Sequence, residues 1–277
     1  MPQEDIDIGG AGPVLAPDEP PPFVVLNAGS AEPVLVVCDH ASARLPRSVG
    51  DLGLDPAARR SHLAEDIGAG DLARRLAEGL SATAVLAGYS RLVVDLNRDL
   101  LDSDAFLEFG DGVVIPGNRN LSPAERAARA DALYRPYHAA IREQVGRLTA
   151  AAGVPAIIAI HSFTPVLNGV SRPWEIGILW DADRRIAERL LAGLRADGFV
   201  VGDNEPYSGK APQDFTVDHH AEAARLPHAG IEVRQDLVDH AQGVERVAAS
   251  LHRIIAALPA SIFSRTAAVD AKARRRG

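Results

Sequence analysis

The chain of 277 residues (29.3 kDa) is 47% hydrophobic and 24% charged, the balance of a soluble globular protein with one large or two small domains. Its net charge of −8 and pI near 5.6 argue against a nucleic-acid binder, and no apolar stretch approaches the length of a membrane span. A single cysteine, Cys38, excludes an internal disulfide and a cysteine-based zinc knot, while the acidic opening MPQEDIDIGG has no apolar signal core, so the cytoplasm is the expected location.

Residues 1–33, with Pro20-Pro21-Pro22 at their centre, read as an extended arm in which FVVL (23–26) is apolar enough to dock on the body. The run VLVVC (34–38) predicts a strand that ends in Asp39-His40 and a small-residue loop, with Cys38 packed inside it. Asp55-Pro56 then reads as a helix start, and Leu63, Ile67, Leu72, Leu76 and Leu80 extend the helical spacing past Gly68 and Gly70. His62 and Asp66, four apart, share a face of that helix. Residues 83–87 and 91–96 predict two strands, the second placing Arg91, Val93 and Asp95 on one side and ending in Asn97-Arg98-Asp99. Residues 101–120 read as loop, with Gly117–Asn120 a candidate lid. Ser122-Pro123-Ala124-Glu125 is a capping box that starts a helix reaching about residue 152, kinked or interrupted at Pro136. Tyr134, Tyr137 and His138 read as its packing residues.

The uncharged run from Pro155 to Ile160 predicts a strand buried on both faces, and it ends at His161. A turn holding Arg172 follows, then a strand at 175–180, a helix at 181–197, a strand at 199–201 and a polar loop at 203–209. The DHHAE stretch contains His220, read as structural. A strand at 229–233 carries Glu232 between Ile231 and Val233, a helix spans 239–258, and the basic residues of 263–277 form an expected disordered tail. Residues 34–262 make one catalytic α/β domain.

Ligands of open α/β sheets bind beyond the carboxyl ends of the strands, and two apolar strands here each end in a histidine. His40 and His161 with Asp66 form a two-imidazole, one-carboxylate set of the kind that holds catalytic zinc. Glu232, desolvated by its neighbours, suits a general base, while Arg91, Asn97, Arg98 and Arg172 supply donors for a small anionic substrate. The alternative for Glu232 is an ion pair with Arg234, and for the 91–99 cluster an Arg–Asp network holding a loop. GxGxxG, GxxxxGK[ST] and GxSxG are absent, which leaves nucleotide-dependent and serine-hydrolase chemistry without support.

The segments VVCDHASARLP, SHLAEDIGAG, SRLVVDLNRD, HSFTPVLNGVSRPWEIGILWD, VGDNEPYSG and IEVRQDL, in that order, resemble the N-formylglutamate amidohydrolase family from about residue 34 to 258. The resemblance implies a zinc-dependent exopeptidase-like fold, a three-layer sandwich whose mixed, mostly parallel sheet lies between helices. It implies hydrolysis of an N-acyl amino acid, N-formyl-L-glutamate to L-glutamate and formate. His40 and His161 match the metal-binding histidines, Glu232 the catalytic carboxylate, and Asn97-Arg98 the pair with which zinc carboxypeptidases grip a substrate carboxylate. Those peptidases carry a glutamate three residues after the first histidine, where this chain has Ala43, so Asp66 is taken as the carboxylate ligand of Zn2+. A deacylase of another N-acyl amino acid, or a catalytically silent metal- or ligand-binding protein on the same fold, are the alternatives.

Overall fold

The computed structural model describes residues 13–167, 169–210 and 214–265. The elements run β1 (Phe23–Leu26), β2 (Val34–Cys38), α1 (Ala69–Leu80), β3 (Thr83–Ala87), a ribbon β4 (Phe109–Gly110) and β5 (Val113–Val114), α2 (Pro123–Arg129) and α3 (Arg135–Ala152). After them come β6 (Ala156–Phe163), a ribbon β7 (Val166–Leu167) and β8 (Val170–Ser171), β9 (Ile176–Leu179), α4 (Arg185–Ala196), β10 (Val201–Asp203), α5 (Phe215–Val217), β11 (His228–Arg234) and α6 (Ala241–Ala256). No helix among these residues is long and apolar enough to cross a membrane.

Seven strands form one sheet in the order β1-β3-β2-β6-β11-β9-β10. β3, β2, β6 and β11 are mutually parallel, so their carboxyl ends share one edge; β1 is antiparallel to β3, and β9 with β10 runs antiparallel to β11. The chain segment FVVL is therefore the outermost strand on one side. Every residue of β2, β3 and β6 is buried, as expected for parallel strands covered on both faces. One face packs Val36, Cys38, Ile158, Ile160, Ile231 and Val233 against α1, α4 and α6. The other packs Leu35, Val37, Ile157 and Ala159 against α3 and the turns around Val93. The period of two then decides which side chains are left for chemistry: His161 and Glu232 alternate with Ile160 and Ile231 and so belong to the α3 face. They are also register partners across β6 and β11.

Four segments depart from the sequence-based expectation. The helix expected from residue 55 begins at Ala69. Asp55 does cap a turn, its Oδ1 accepting from Ala57 and Ala58 N–H at 2.7 and 3.0 Å, but this 3-10 turn ends at Arg60. Gly68 has φ +78°, and a Cβ there would lie 2.1 Å from the Val238 carbonyl oxygen, so the chain turns sharply before α1 starts. Residues 91–96 are turns, with Val93 N–H on the Ser90 carbonyl and Asp95 N–H on that of Ala105; tertiary contacts override their β-propensity. The capping box at Ser122 is present, and the interruption expected at Pro136 comes just ahead of it, as a π-turn, Ala130–Tyr134, between α2 and α3. Pro136 thus falls in the first turn of α3, where its missing N–H leaves no bond broken. Asn118, in the expected lid, is buried: its Nδ2 donates to the carbonyls of Leu92 and Leu107 at 2.8 Å, and its Oδ1 accepts from Arg129 at 2.6 Å. That segment is a brace. The third strand of the C-terminal half, expected at 199–201, is β10, two residues further on. Residues 1–12 of the arm and 266–277 of the tail lie outside the described residues.

Candidate active site

The carboxyl ends of β2, β6 and β11 border a cleft of about 340 Å3, lined by His40, Asp66, Arg91, Asn97, Arg98, His161 and Glu232 among others. Seven of the eight sequence-derived site residues therefore meet in one place. The eighth, Arg172, stands behind the wall: its guanidinium lies over the rings of Phe163 and Tyr207, and its Nη1 donates to the Tyr207 hydroxyl at 2.9 Å. Tyr207, not Arg172, lines the cleft.

At the floor, both imidazoles turn Nδ1 toward a single oxygen. Asp66 Oδ2 is 2.9 Å from His161 Nδ1 and 3.3 Å from His40 Nδ1. Asp66 reaches this position from the turn before Gly68, held by its own N–H on the His40 carbonyl, rather than from a helix shared with His62. His62 is elsewhere, its Nε2 at 3.3 Å from Asp111. The far nitrogen of each ring faces another carboxylate: His40 Nε2 is 2.8 Å from Asp95 Oδ1, and His161 Nε2 is 3.3 Å from Asp39 Oδ2. Arg91 closes the network, with Nη2 and Nε on Asp95 Oδ2 at 2.6 and 2.9 Å and Nη1 at 3.6 Å from Asp66.

Burial would raise Asp66, but the two imidazoles beside it outweigh burial and hold its carboxyl well below the usual range. The same balance, led on the lowering side by Arg91, keeps Asp95 ionised. Burial works against protonation of His161, yet Asp39 and Asp66 on either side raise it well above the ordinary imidazole value. Glu232 behaves oppositely. Burial pushes it up to about 7, Asp66 and Asp214 add to the rise, and His161 only partly offsets them. Its Oε2 is buried with no hydrogen-bond partner among the described residues.

Among the described residues, His40, Asp66 and His161 are the one group of three potential ligands whose donor atoms all lie within 4.8 Å of one another. Two neutral-capable imidazole nitrogens and a carboxylate oxygen, each ring backed by a second carboxylate, is a donor set that fits zinc. Asp39, Asp95, Tyr207, Asp214 and Thr216 complete the surroundings and were not among the residues chosen from sequence. Asp39 was reachable, since the alternation of β2 carries it past Val37 to the α3 face. Thr216 and Asp214 were not, because the segment that delivers them shows no period. His138 and His220 lie behind that segment, stacked, with Nδ1 and Nε2 2.9 Å apart; burial lowers them to about 4 and about 3, as in a neutral structural pair.

A family model described as N-formylglutamate amidohydrolase matches residues 32–238. An N-formylglutamate deformylase of Pseudomonas putida is 28% identical over 218 residues, covering 71% of this chain and 78% of that protein. The crystal structure of a gene product from Agrobacterium tumefaciens superposes with a TM-score of 0.86 at 38% identity, over 91% of this chain and all of that one. An N-formylglutamate amidohydrolase from Ralstonia eutropha shares the fold, with a TM-score of 0.68 at 21% identity over 84% of this chain and 95% of its own.

Proposed function

We propose, on the premise that this chain belongs to the N-formylglutamate amidohydrolase family, that it is a zinc-dependent hydrolase cleaving N-formyl-L-glutamate to L-glutamate and formate. The observation that carries the reading is Glu232: a carboxyl raised to about 7, with an orphaned oxygen, beside a two-histidine, one-aspartate cluster in a cleft edged by arginine and amide groups. Residues 34–262, with β1 added at the sheet edge, are the catalytic unit we assign.

His40, Asp66 and His161 would hold the zinc, which when bound supplies a Lewis acid and a water of lowered pKa. Glu232 takes a proton from the attacking water, and the new C–O bond forms at the formyl carbon. The same carboxyl then hands that proton to the amide nitrogen as the C–N bond breaks, so atoms and charge balance. A pKa near the working pH serves both halves of this transfer. Asn97 and Arg98 grip a carboxylate of the glutamate half and fix its orientation. Arg91, whose fork is occupied by Asp95, contributes to that grip chiefly as positive charge, and Arg172 acts by placing Tyr207.

The test is formate release, matched one for one by glutamate, from N-formyl-L-glutamate with zinc-replete protein. A parallel series of N-acetyl and N-formyl amino acids reads acyl and side-chain preference. A higher kcat/KM on another member reassigns the substrate, and no turnover on any of them by zinc-loaded protein means a silent binding protein.

A further inference from the structure

We infer that Thr216 is a positioning residue that ties the imidazole of His161 to the amide of Asn97, using a different atom for each task. The inference rests on the reading of His161 as a zinc ligand. Thr216 is fully buried in α5. Its hydroxyl donates to Asp39 Oδ1 at 2.8 Å, and the other oxygen of that carboxylate stands 3.3 Å from His161 Nε2. Asp39 Oδ2 and His161 Nε2 are both buried, and the buried Tyr137 hydroxyl is the other donor that faces the Asp39 carboxyl, so the carboxyl's rotation decides how the ring is backed. The Thr216 hydroxyl, at 2.8 Å, fixes that rotation together with Tyr137.

The backbone of the same residue does the second task. N–H groups in the first turn of a helix have no partner within it, and that of Thr216 goes to Asn97 Oδ1 at 2.9 Å. With its oxygen taken, Asn97 turns its two amide N–H donors the other way, where one meets the Asp214 carboxyl and the other is left for a substrate carboxylate. Asn97 N–H is itself on Asp95 Oδ1, the oxygen that faces His40. The metal cluster and the substrate grip thus share their supports, and Thr216 is where the His161 side of the cluster meets Asn97.

Because the two tasks use different atoms, one substitution separates them. Thr216→Val keeps the shape and the backbone N–H but removes the hydroxyl. Zinc affinity, measured by competition with a chromophoric chelator, should fall about tenfold, a hydrogen bond to a charged group transmitted through one carboxylate. The KM for N-formyl-L-glutamate at saturating zinc should stay within twofold, and Thr216→Ser should restore zinc affinity to within threefold. Asp39→Asn should weaken zinc about 10- to 100-fold, and adding Thr216→Val to it should change nothing more, the signature of action through Asp39. Wild-type zinc affinity in Thr216→Val, additive losses in the double variant, or a KM increase matching that of Asn97→Ala would each overturn the inference. If the valine variant does not fold, Thr216→Cys, a weaker donor of similar size, gives the same reading. Absence of zinc binding by the wild-type protein would instead sink the metal assignment itself, an outcome distinct from equal affinities in wild type and variant.

Discussion

Replacing Glu232 by glutamine should produce a protein that is nearly inactive and, at alkaline pH, more stable. The catalytic part follows from the loss of the carboxyl proposed to accept and return the proton. General acid–base catalysis contributes about 10²- to 10⁴-fold, so kcat with zinc bound should fall by that factor, equivalent to about 3–5 kcal/mol of barrier. The stability part follows from burial. In the folded chain the Glu232 carboxyl titrates at about 7 against a usual 4.5. Below 4.5 it is protonated in both folded and unfolded chains and costs nothing. As pH rises from 4.5 through 7 the unfolded chain ionises first, so stability is lost across that window and the loss levels off above it. At 1.36 kcal/mol per unit this reaches at most about 3 kcal/mol by pH 8, an upper figure because the residue keeps some contact with the cleft. Glutamine does not titrate and escapes the loss. Urea unfolding of metal-free wild type and variant at pH 4 and pH 8 measures it, while formate release by zinc-loaded protein measures the rate. A kcat loss below tenfold with zinc retained, or a stability gain equal at both pH values, would refute the reasoning.

Three further outcomes are expected. Asp66→Asn removes the negative charge on which both imidazoles converge and should weaken zinc by more than about 100-fold, read by chelator competition; retention of stoichiometric zinc would exclude Asp66 as a carboxylate ligand. Arg98→Ala should raise KM at least about tenfold while kcat stays within about threefold, the pattern of lost uniform binding; a fall in kcat alone would move Arg98 from substrate grip to transition-state or structural support. Gly68→Ala combines a left-handed backbone with a Cβ 2.1 Å from a carbonyl oxygen, and should cost at least about 2 kcal/mol. Its urea midpoint should drop at unchanged slope, and an unchanged midpoint would mean that the turn before α1 relaxes freely.

The parts of this molecule legible in its sequence are those governed by short periods. The uncharged runs that lead β2 to His40 just past its end and carry β6 through His161 on to Phe163, two residues beyond the expected end, and the bracketing of Glu232 by Ile231 and Val233, follow from burial alternating along a chain. The parts that were not legible depend on contacts between distant segments. The leucine spacing across residues 63–80 continues a helical pattern straight through Gly68, but the close approach of the Val238 carbonyl forces the turn. The β-rich residues 91–96 look like a strand until Asn118, Arg129 and Ala105 take up their carbonyls and N–H groups. Asp95 was visible as one member of a crowded ionic run, yet its place behind His40, 55 residues away, is set only by the fold.

The alternation of the central strands also divides labour between the two halves of the molecule. The layer under α4 and α6 holds aliphatic side chains such as Leu190, Leu194, Leu251 and Ile254, and none of the groups assigned to turnover. Repacking that layer is a route to a more durable fold with the site untouched, whereas on the opposite side of the same sheet the loss of a single hydroxyl is expected to reach the hold on the metal.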